Sequence, residues 1–339
     1  MNIKAVAKLA QVSTATVSRT MNRSARVSPE TAERVLRAIE SLNFHPDTNA
    51  RALGSGRSNL YGLIISDITN PFFPELVKSF EDIAVRHLQE VLVSNTNYEP
   101  ERMKICVQHM LQRRVDGVAI MTSEMDDHLI EGFRRLNIPM VFLDSGAAAP
   151  GVSCIRIDYS AGVDAAMHHL IKLGHRRIAF LSGPMSLASA QVRSKAFMES
   201  AARDHLENSP QLIQEGNHQM DGGHAAMQRV LSAPIRPTAV LASNDLTAIG
   251  AIGAITEAGL RVPEDISVVG FDDIDISAFL TPSLTTVSLP RAQIAAAAFH
   301  ALFREETSRN SQTVQGEEHI IQPALVIRSS SGPAPRRRR

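Results

Sequence analysis

The sequence predicts two structural parts: a small helical headpiece at the N-terminus and a larger α/β core made of two lobes with parallel sheets. Three short helical patterns fill the first 46 residues, and after residue 59 apolar strand patterns alternate with helical ones. The alternation runs twice, which is typical of two parallel-sheet lobes. A chain of 339 residues, 44% of them hydrophobic, can bury a separate core in each part.

The first two headpiece helices are short and amphipathic. The first buries residues with the spacing i, i+3, i+4, i+7, namely Ile3, Val6, Ala7 and Ala10. Gln11 and Val12 leave room only for a tight connection. The second helix begins after Ser13, whose side-chain oxygen suits an N-cap, and it turns Val17 and Met21 inward.

The third helix begins with Ser28 as its cap and Pro29 in its first turn, and it stops before Pro46. Its predicted apolar face consists of Ala32, Val35, Leu36, Ile39 and Leu42. Three short helices joined by tight turns predict a helix-turn-helix headpiece over residues 1–46.

The outer face of the second helix suits the floor of a DNA groove. Its residues are small, hydroxylated or basic: Thr14, Ala15, Ser18 and Arg19. Arg19 is the candidate for a bidentate hydrogen bond to guanine, the commonest specific major-groove contact, and a phosphate contact is the alternative. Ala15 could contact a thymine methyl group and Thr14 could form one hydrogen bond, whereas Thr16 and Ser18 are expected to hold phosphates.

The charge distribution also points to DNA. Residues 1–60 hold nine Lys/Arg and four Asp/Glu, whereas residues 61–335 carry a net charge of −9 and the whole chain is neutral. A basic end on an acidic body is typical of a protein that presents one end to phosphates. The tail at 331–339 ends in four arginines, interpreted as a solvated basic end; nonspecific DNA binding is the alternative.

A hinge and linker are predicted at 47–58. Asp47 suits an N-cap and Gly54 suits a helix stop, so the hinge helix has at most two turns and includes Asn49 and Leu53. Isolated helices this short are marginal in water. We therefore expect the hinge to become helical only on DNA.

The core is predicted to span 59–330. Lobe 1 is assigned to 59–159 and 290–318, and lobe 2 to 160–289 and 319–330. The predicted strands are 61–66, 91–94, 117–121, 140–143 and 155–157 in the first set, and 178–181, 212–215, 239–242 and 268–271 in the second. A helix is predicted over 73–88, and later strands at 284–288 and 320–326 are expected to cross between lobes.

Ligands of such folds bind beyond the carboxyl ends of the strands, and polar residues follow several predicted strands here. The candidates for a small-molecule site are Asp67, Asn70, Phe72, Phe73, Asp144, Arg193, His218, Asn244 and Asp272. Carboxylate, amide and guanidinium groups can bracket vicinal hydroxyls and an aromatic ring can stack on a sugar, so we expect a sugar or a sugar-like polyol. Helix capping is the alternative for Asp67, Asp144 and Asp245, and a surface ion pair is the alternative for Arg193.

The sequence gives little support for an enzyme, a metal-binding protein, or a secreted or membrane protein. No phosphate loop, zinc-protease motif or nucleophile elbow is present, so neither an enzyme nor a cofactor is predicted. The acidic residues Asp272, Asp273 and Asp275 fit a polar turn better than a metal site. Cys106 and Cys154 match no metal or redox spacing, and no signal peptide or membrane span is found, which predicts a cytoplasmic protein.

Three segments together resemble the LacI/GalR family of bacterial transcription regulators. They are I-K-A-V-A-K-L-A-Q-V-S-T-A-T-V-S-R-T-M-N, then V-S-P-E-T-A-E-R-V, then F-H-P-D-T-N-A-R-A-L. The resemblance continues through nearly the whole chain. It implies a periplasmic-binding-protein-like core and a homodimer that binds a palindromic operator in double-stranded DNA.

The same resemblance assigns roles to individual positions. Thr14 and Ala15 match base-reading positions, and Leu53 matches a leucine that enters the minor groove and kinks the operator. The matches to effector positions are Arg193, Asn244 and Asp272, with Phe72 and Phe73 lining the cleft. Leu187 stands where purine-binding relatives carry an arginine, which argues against a purine.

The leading prediction is therefore a sequence-specific repressor controlled allosterically by a small effector. A solute-binding protein of a sugar transport system is the rival, and an enzyme acting on a bound sugar is the third possibility. The headpiece and the missing signal peptide argue against the transport protein, whereas turnover of a bound sugar would favour the enzyme.

Overall fold

The computed structural model describes residues 2–21, 26–44, 57–122, 127–207, 209–307 and 315–335. The chain forms two compact units that divide between Asn59 and Leu60. The predicted hinge helix, with Asn49 and Leu53, lies outside the described residues, as do the four terminal arginines.

The N-terminal unit consists of α1 (Ile3–Ala10), α2 (Thr14–Met21) and α3 (Pro29–Ser41) in its described part. Side chains cap the helices as expected, since Ser13 Oγ accepts from the amide of Thr16 and Ser28 Oγ accepts from the amide of Thr31. The buried core of this unit consists of Val6, Ala7, Ala10, Val17, Val35, Ala38 and Phe44. This arrangement confirms the predicted three-helix headpiece.

The apolar face predicted for α3 was wrong at Leu36, which is 55% exposed. Val35, Ala38, Ile39 and Leu42 form the i, i+3, i+4, i+7 stripe that meets the core. Leu36 lies about 100° around the helix from Val35, beyond the edge of that stripe.

The first lobe contains a sheet whose strands pair in parallel throughout. Its order is β11-β5-β4-β3-β1-β2. The strands are β1 (Leu60–Ile65), β2 (Glu90–Asn95), β3 (Gly117–Met121), β4 (Met140–Leu143), β5 (Val152–Ile157) and β11 (Glu318–Ile321). The helices of this lobe are α4 (Phe72–Arg86), α5 (Pro100–Arg113), α6 (Asp127–Arg135) and α11 (Arg291–Thr307).

The second lobe repeats the scheme. Its sheet has the order β12-β10-β9-β8-β6-β7, parallel except for the pair of β10 and β12. The strands are β6 (Ile178–Ser182), β7 (Ile213–Glu215), β8 (Ala239–Ala242), β9 (Ser267–Asp272), β10 (Thr285–Ser288) and β12 (Ala324–Val326). The helices are α7 (Tyr159–Lys172), α8 (Ala188–Arg203), α9 (Met220–Leu231) and α10 (Asp245–Glu257). Two turns of 3₁₀ helix lie at Pro210–Leu212 and Asp275–Ala278.

The late strands correct two sequence expectations. The single strand expected at 320–326 is two strands, because β11 pairs with β5 in the first lobe whereas β12 pairs with β10 in the second. Residues 319–321 therefore lie in lobe 1 rather than lobe 2. The strand Thr285–Ser288 does not cross between lobes, since its described partners belong to the second sheet. The chain crosses between the lobes at 157–159, 288–291 and 321–324.

Candidate nucleic-acid interface and ligand cleft

The outer face of α2 presents the residues expected to read DNA. Thr14, Ala15 and Arg19 are exposed, and Thr16 and Ser18 are partly exposed. Thr16 also contributes to the helix start, because its hydroxyl lies 2.9 Å from Ser13 Oγ. The helix is therefore anchored at its N-terminal end, while its outward side chains remain available to a partner.

A recess of about 370 Å³ lies beside this face. It is lined by Val12, Ser13, Thr16, Arg19, Arg26, Val27, Ser28, Thr31 and Arg34. Three guanidinium groups and several hydroxyls around one recess, together with the N-terminus of α3, make a surface suited to phosphate oxygens. Arg26 and Arg34 were not among the predicted DNA-binding residues, although both are arginines that lie close to α2.

A candidate ligand cleft lies between the two lobes, at the carboxyl ends of their strands. The cavity has a volume of about 80 Å³ and is lined by residues of both lobes. Of the nine predicted effector residues, eight line it: Asn70, Phe72, Phe73, Asp144, Arg193, His218, Asn244 and Asp272. The structure thus places around one cavity the side chains that were chosen only because they follow the carboxyl ends of predicted strands.

Asp67 is the exception. It is buried but does not line the cavity. Its Oδ1 accepts hydrogen bonds from the amide and hydroxyl of Thr69, and its Oδ2 accepts one from Gln219 Nε2 at 2.5 Å. Because Gln219 belongs to the second lobe, Asp67 joins the lobes rather than facing the cavity.

Asp144 lies at one wall of the cavity, and each of its carboxylate oxygens accepts one hydrogen bond from the protein. The hydroxyl of Tyr159 donates to Oδ2 at 2.6 Å and the amide of Ile157 donates to Oδ1 at 2.8 Å. Burial raises the pKa of Asp144, and these hydrogen bonds oppose that rise. Burial and the neighbouring Asp144 raise the pKa of Tyr159 well above its usual value, so its hydroxyl remains a donor.

Arg193 is buried and held by several contacts, so the surface ion pair considered for it is wrong. Its Nε donates to the carbonyl of Ser189 and its Nη1 donates to the carbonyl of Ser243. The guanidinium carbon lies 4.6 Å from the centroid of the Tyr159 ring and 5.1 Å from that of Phe271. These cation–π contacts fix a positive charge inside the cleft.

Asn244 caps α10, since its Oδ1 accepts from the amide of Thr247 at 2.9 Å. Its Nδ2 donates to the carbonyl of His218 at 2.9 Å, which holds the segment that follows β7. Burial and the charge of Arg193 lower the pKa of His218 to about 3, so the ring is neutral. Its Nε2 has no hydrogen-bond partner within the described structure.

Asp272 ends β9 inside the cavity. Burial raises the pKa of its carboxyl well above the usual value, and the positive charge of Arg193 opposes that rise. The residue is in the left-handed region, with φ of 112°, and Asp273 follows with φ of 58°. Two such residues in succession indicate a backbone that the surrounding contacts hold in place.

Asp245 is neither a cap nor a cavity residue. Its carboxylate accepts from Thr286 Oγ1 at 2.6 Å, Ser277 Oγ at 2.7 Å and the amide of Ile274 at 2.9 Å. It therefore supports the loop that carries Asp272. Because it is buried, its pKa rises to about 6.

The cavity contains residues that the sequence analysis missed. They include Ser66, Tyr98, Thr122, Tyr159, Ser189 and Leu289. Leu187, considered only through the family resemblance, also faces the cavity. Ser66, Thr122 and Leu289 directly follow strands, so the position of polar and apolar residues at strand ends could have indicated them. Tyr98, Tyr159 and Ser189 lie in a loop or at helix starts, which a search confined to strand ends passes over.

The acidic residues after β9 pair with arginines rather than with one another. Asp273 lies 2.6 Å from Arg328, and Asp275 lies 3.5 Å from Arg291. Within the described ranges, no group of three or more His, Cys, Asp and Glu side chains could hold a metal ion. The same part of the chain has no helix that is both long enough and apolar enough to cross a membrane.

A helix-turn-helix unit with a basic face and a two-lobed core with a polar interlobe cleft together define a DNA-binding regulator that responds to a small molecule. Residues 2–47 match the bacterial regulatory proteins of the lacI family, and residues 167–331 match a periplasmic binding protein-like domain. A repressor named PurR from Mannheimia succiniciproducens is 35% identical over 97% of this chain and 98% of its own length. The chain therefore belongs to the lacI family and is a DNA-binding transcriptional regulator.

Solved structures agree with this assignment. The lac repressor dimer bound to operator and the anti-inducer ONPF has a TM-score of 0.84 and 32% identity over 98% of this chain and 99% of its own. The complex of the transcriptional regulator CelR with cellobiose has a TM-score of 0.71 and 28% identity over 98% and 100% of the two chains. These relatives are a transcriptional repressor and transcriptional regulators.

Proposed function

We propose that this protein is an operator-binding repressor whose affinity for DNA is set by a small, uncharged, polyhydroxylated effector bound between the lobes. The observation that carries the proposal is the meeting of Asp144, Arg193, Asn244 and Asp272 from two lobes around one cavity. An effector that contacts residues of both lobes necessarily favours one arrangement of the lobes, which gives it a means of control.

The chemistry of the lining favours a neutral ligand. The positive charge of Arg193 lies against the rings of Tyr159 and Phe271 and interacts with the carboxyl of Asp272, so a ligand need not bring a counter-ion. Phe72 and Phe73 offer aromatic surface for a sugar ring, while Asp272 and Thr122 supply polar groups. CelR in complex with cellobiose provides a precedent for a sugar in this fold.

A purine is the competing ligand. The curated relatives carry the name PurR, although Leu187 gives this cavity an apolar side chain where the purine-binding relatives are expected to have an arginine. A thermal-shift screen of the full chain with pentoses, hexoses, disaccharides and purine bases decides between them. We expect stabilisation by a sugar, and a response confined to purine bases would contradict the proposed effector class.

On DNA, we propose that Thr14, Ala15 and Arg19 read bases, that Thr16 and Ser18 contact phosphates, and that Asn49 and Leu53 act in the hinge. One such headpiece reads few base pairs, so two copies on a palindrome are needed for specificity, in agreement with the dimeric lac repressor. This part of the proposal predicts a symmetric homodimer.

The DNA-binding proposal is tested by recovering and sequencing genomic fragments bound to the purified full chain. A short enriched palindrome with a flexible pyrimidine–purine step at its centre is expected. The matched control is the same chain with Arg19→Ala and Arg34→Ala, which should lose the enrichment. No enrichment by the unmodified chain at low salt would mean either that hinge folding requires a corepressor or that the headpiece does not read DNA, as in the solute-binding alternative.

A further inference from the structure

The loop that carries Asp272 is held from the opposite lobe. Asp272 and Asp273 both have positive φ, so neighbouring groups must maintain their backbone. Arg291 Nη1 donates to both of their carbonyl oxygens, at 2.9 Å and 2.7 Å. Arg291 begins α11, which packs against α4 of lobe 1, whereas the loop belongs to lobe 2.

Glu75 completes this contact between lobes. Its Oε1 accepts from the amide of Asp275 at 3.1 Å, and its Oε2 lies 2.8 Å from Arg291 Nε. The side chains of Arg291 and Glu75 are only 16% and 22% exposed, so water weakens their interaction less than that of a surface pair. One guanidinium thus binds a lobe 1 carboxylate and two lobe 2 carbonyls, in a donor geometry that lysine lacks.

We propose that Glu75 and Arg291 form a clasp that positions Asp272 and couples its orientation to closure of the lobes. Neither residue lines the cavity, so both act through the loop rather than on the ligand. Opening of the lobes is expected to separate Glu75 from the amide of Asp275 and, through the pair of Glu75 and Arg291, to weaken the hydrogen bonds of Arg291 to the two carbonyls. A ligand that engages the Asp272 carboxyl then favours closure because the loop and the clasp form together.

The coupling to a ligand rests on the proposed function, whereas the clasp itself can be tested without a ligand. Gln108 of lobe 1 and Glu264 of lobe 2 are exposed and suit spin labels after substitution by cysteine, in a chain with Cys106→Ala and Cys154→Ala. Dilution with excess unlabelled chain restricts the measured distances to single subunits. Pulsed electron spin resonance then reports the distribution of interlobe distances.

We expect Arg291→Met to raise the population of long interlobe distances at least fivefold, and Glu75→Ala to raise it by slightly less. Glu75→Gln keeps an acceptor for the amide of Asp275 and should give a smaller change. Arg291→Lys should also give a smaller change, because it keeps the positive charge but not the hydrogen bonds to both carbonyl oxygens. The double variant should resemble Arg291→Met alone, because the two residues form one unit. Hydrogen exchange at the Asp275 amide should accelerate at least tenfold in Glu75→Ala.

Arg304→Met is the matched control, since Arg304 lies on the same helix and pairs at 2.7 Å with Glu317 inside lobe 1. It should leave both readouts unchanged. Equal distance distributions for Arg291→Met and Arg304→Met would overturn the proposal, as would additive effects of Glu75→Ala and Arg291→Met. Because neither readout needs an effector, these results stand apart from the ligand screen that tests the proposed function.

Discussion

Gln219 Nε2 donates a 2.5 Å hydrogen bond to Asp67 Oδ2, and this contact joins the two lobes. Asp67 follows β1 and Gln219 follows β7, strands on the side of each sheet away from β10, β11 and β12. The crossovers between the lobes adjoin those last strands. The hydrogen bond therefore lies where rotation about the crossovers separates the lobes most.

Gln219→Ala is expected to weaken effector binding about 5–30-fold, or about 1–2 kcal/mol, because it removes a hydrogen bond that holds the two lobes together. Calorimetric titration with the effector identified by the screen measures this. Gln228→Ala, at an exposed position on α9, is the control. Equal affinities for the two variants would show that the Gln219 contact does not contribute to closure.

Asp272→Asn is expected to weaken effector binding about 10–100-fold, because it removes a carboxyl group that lines the cavity and interacts with Arg193. Its shape is nearly conserved, so the thermal midpoint of the ligand-free protein should change little. Asp265→Asn serves as the control, because Asp265 lies just before the start of β9 and pairs with Arg261 at the surface. An unchanged affinity in Asp272→Asn would remove this carboxyl from the effector site.

Asp245 should give the core a distinct pH dependence. Its pKa is about 6 in the folded protein against 3.8 for an ordinary aspartate, so the folded state binds the proton more tightly. Its contribution to stability is therefore fully present below about pH 4 and is lost as the pH rises to about 6, by about 3 kcal/mol in total. His218, whose pKa falls from 6.5 to about 3, acts in the opposite direction over the whole of this range.

A comparison of Asp245→Asn with the unmodified chain isolates this effect, because the contribution of His218 is common to both. Asparagine can accept from Ile274 and Ser277 and donate to Thr286, so the fold should persist. Urea midpoints measured from pH 4 to pH 7 should show that the stability of the unmodified chain increases relative to that of Asp245→Asn as the pH falls. A constant difference across this range would contradict the raised pKa of Asp245.

The fold followed from the sequence wherever a strand is buried on both faces. The strands Gly117–Met121, Met140–Leu143 and Ala239–Ala242 have the predicted bounds, since an uninterrupted apolar run marks such strands. The error at 320–326 has a local cause. Pro323 lies between β11 and β12 and cannot donate to a strand ladder, and its presence was the missed sign of two strands.

The cleft was partly predictable for a similar reason. Residues at strand ends converge by topology, which places Asn70, Asn244 and Asp272 around the cavity. The roles of Gln219 and Arg291 depend on contacts between lobes, which no local pattern encodes. Tyr159 was missed because it begins a helix after a crossover, although it donates the hydrogen bond that orients Asp144.

Arg19 and Arg34 should affect DNA binding in different ways. Arg19→Ala is expected to cost about 1–3 kcal/mol at the operator and to relax specificity at one base pair. Arg34 lines the recess that suits phosphate oxygens, so Arg34→Ala should weaken binding to all DNA sequences alike. It should also reduce, by about one, the slope of the logarithm of the binding constant against the logarithm of the salt concentration. Fluorescence anisotropy on operator and scrambled duplexes over a salt series separates these outcomes. Uniform weakening by Arg19→Ala would make Arg19 a phosphate contact.

Two glycines of α10 provide a test of helix packing in lobe 2. A Cβ atom at Gly250 would lie 1.9 Å from the carbonyl oxygen of Met220, whereas one at Gly253 would meet only His224 Cδ2 at 3.6 Å. Gly250→Ala should therefore destabilise the core by about 1–3 kcal/mol, since α9 must shift its backbone. Gly253→Ala should stabilise it by about 0.5–1 kcal/mol, because alanine favours helix.

The thermal midpoints of the two alanine variants should thus move in opposite directions, by about 2–4 °C for each kcal/mol. Because the substitution, the helix and the helix propensity are the same, the difference between the variants isolates the approach of α10 to α9. That approach also brings the start of α9, directly after Gln219, close to α10. Gly250→Ala should therefore lower the affinity for the effector as well as the stability of the core. Similar thermal midpoints for Gly250→Ala and Gly253→Ala would show that α9 and α10 can move apart without loss of stability.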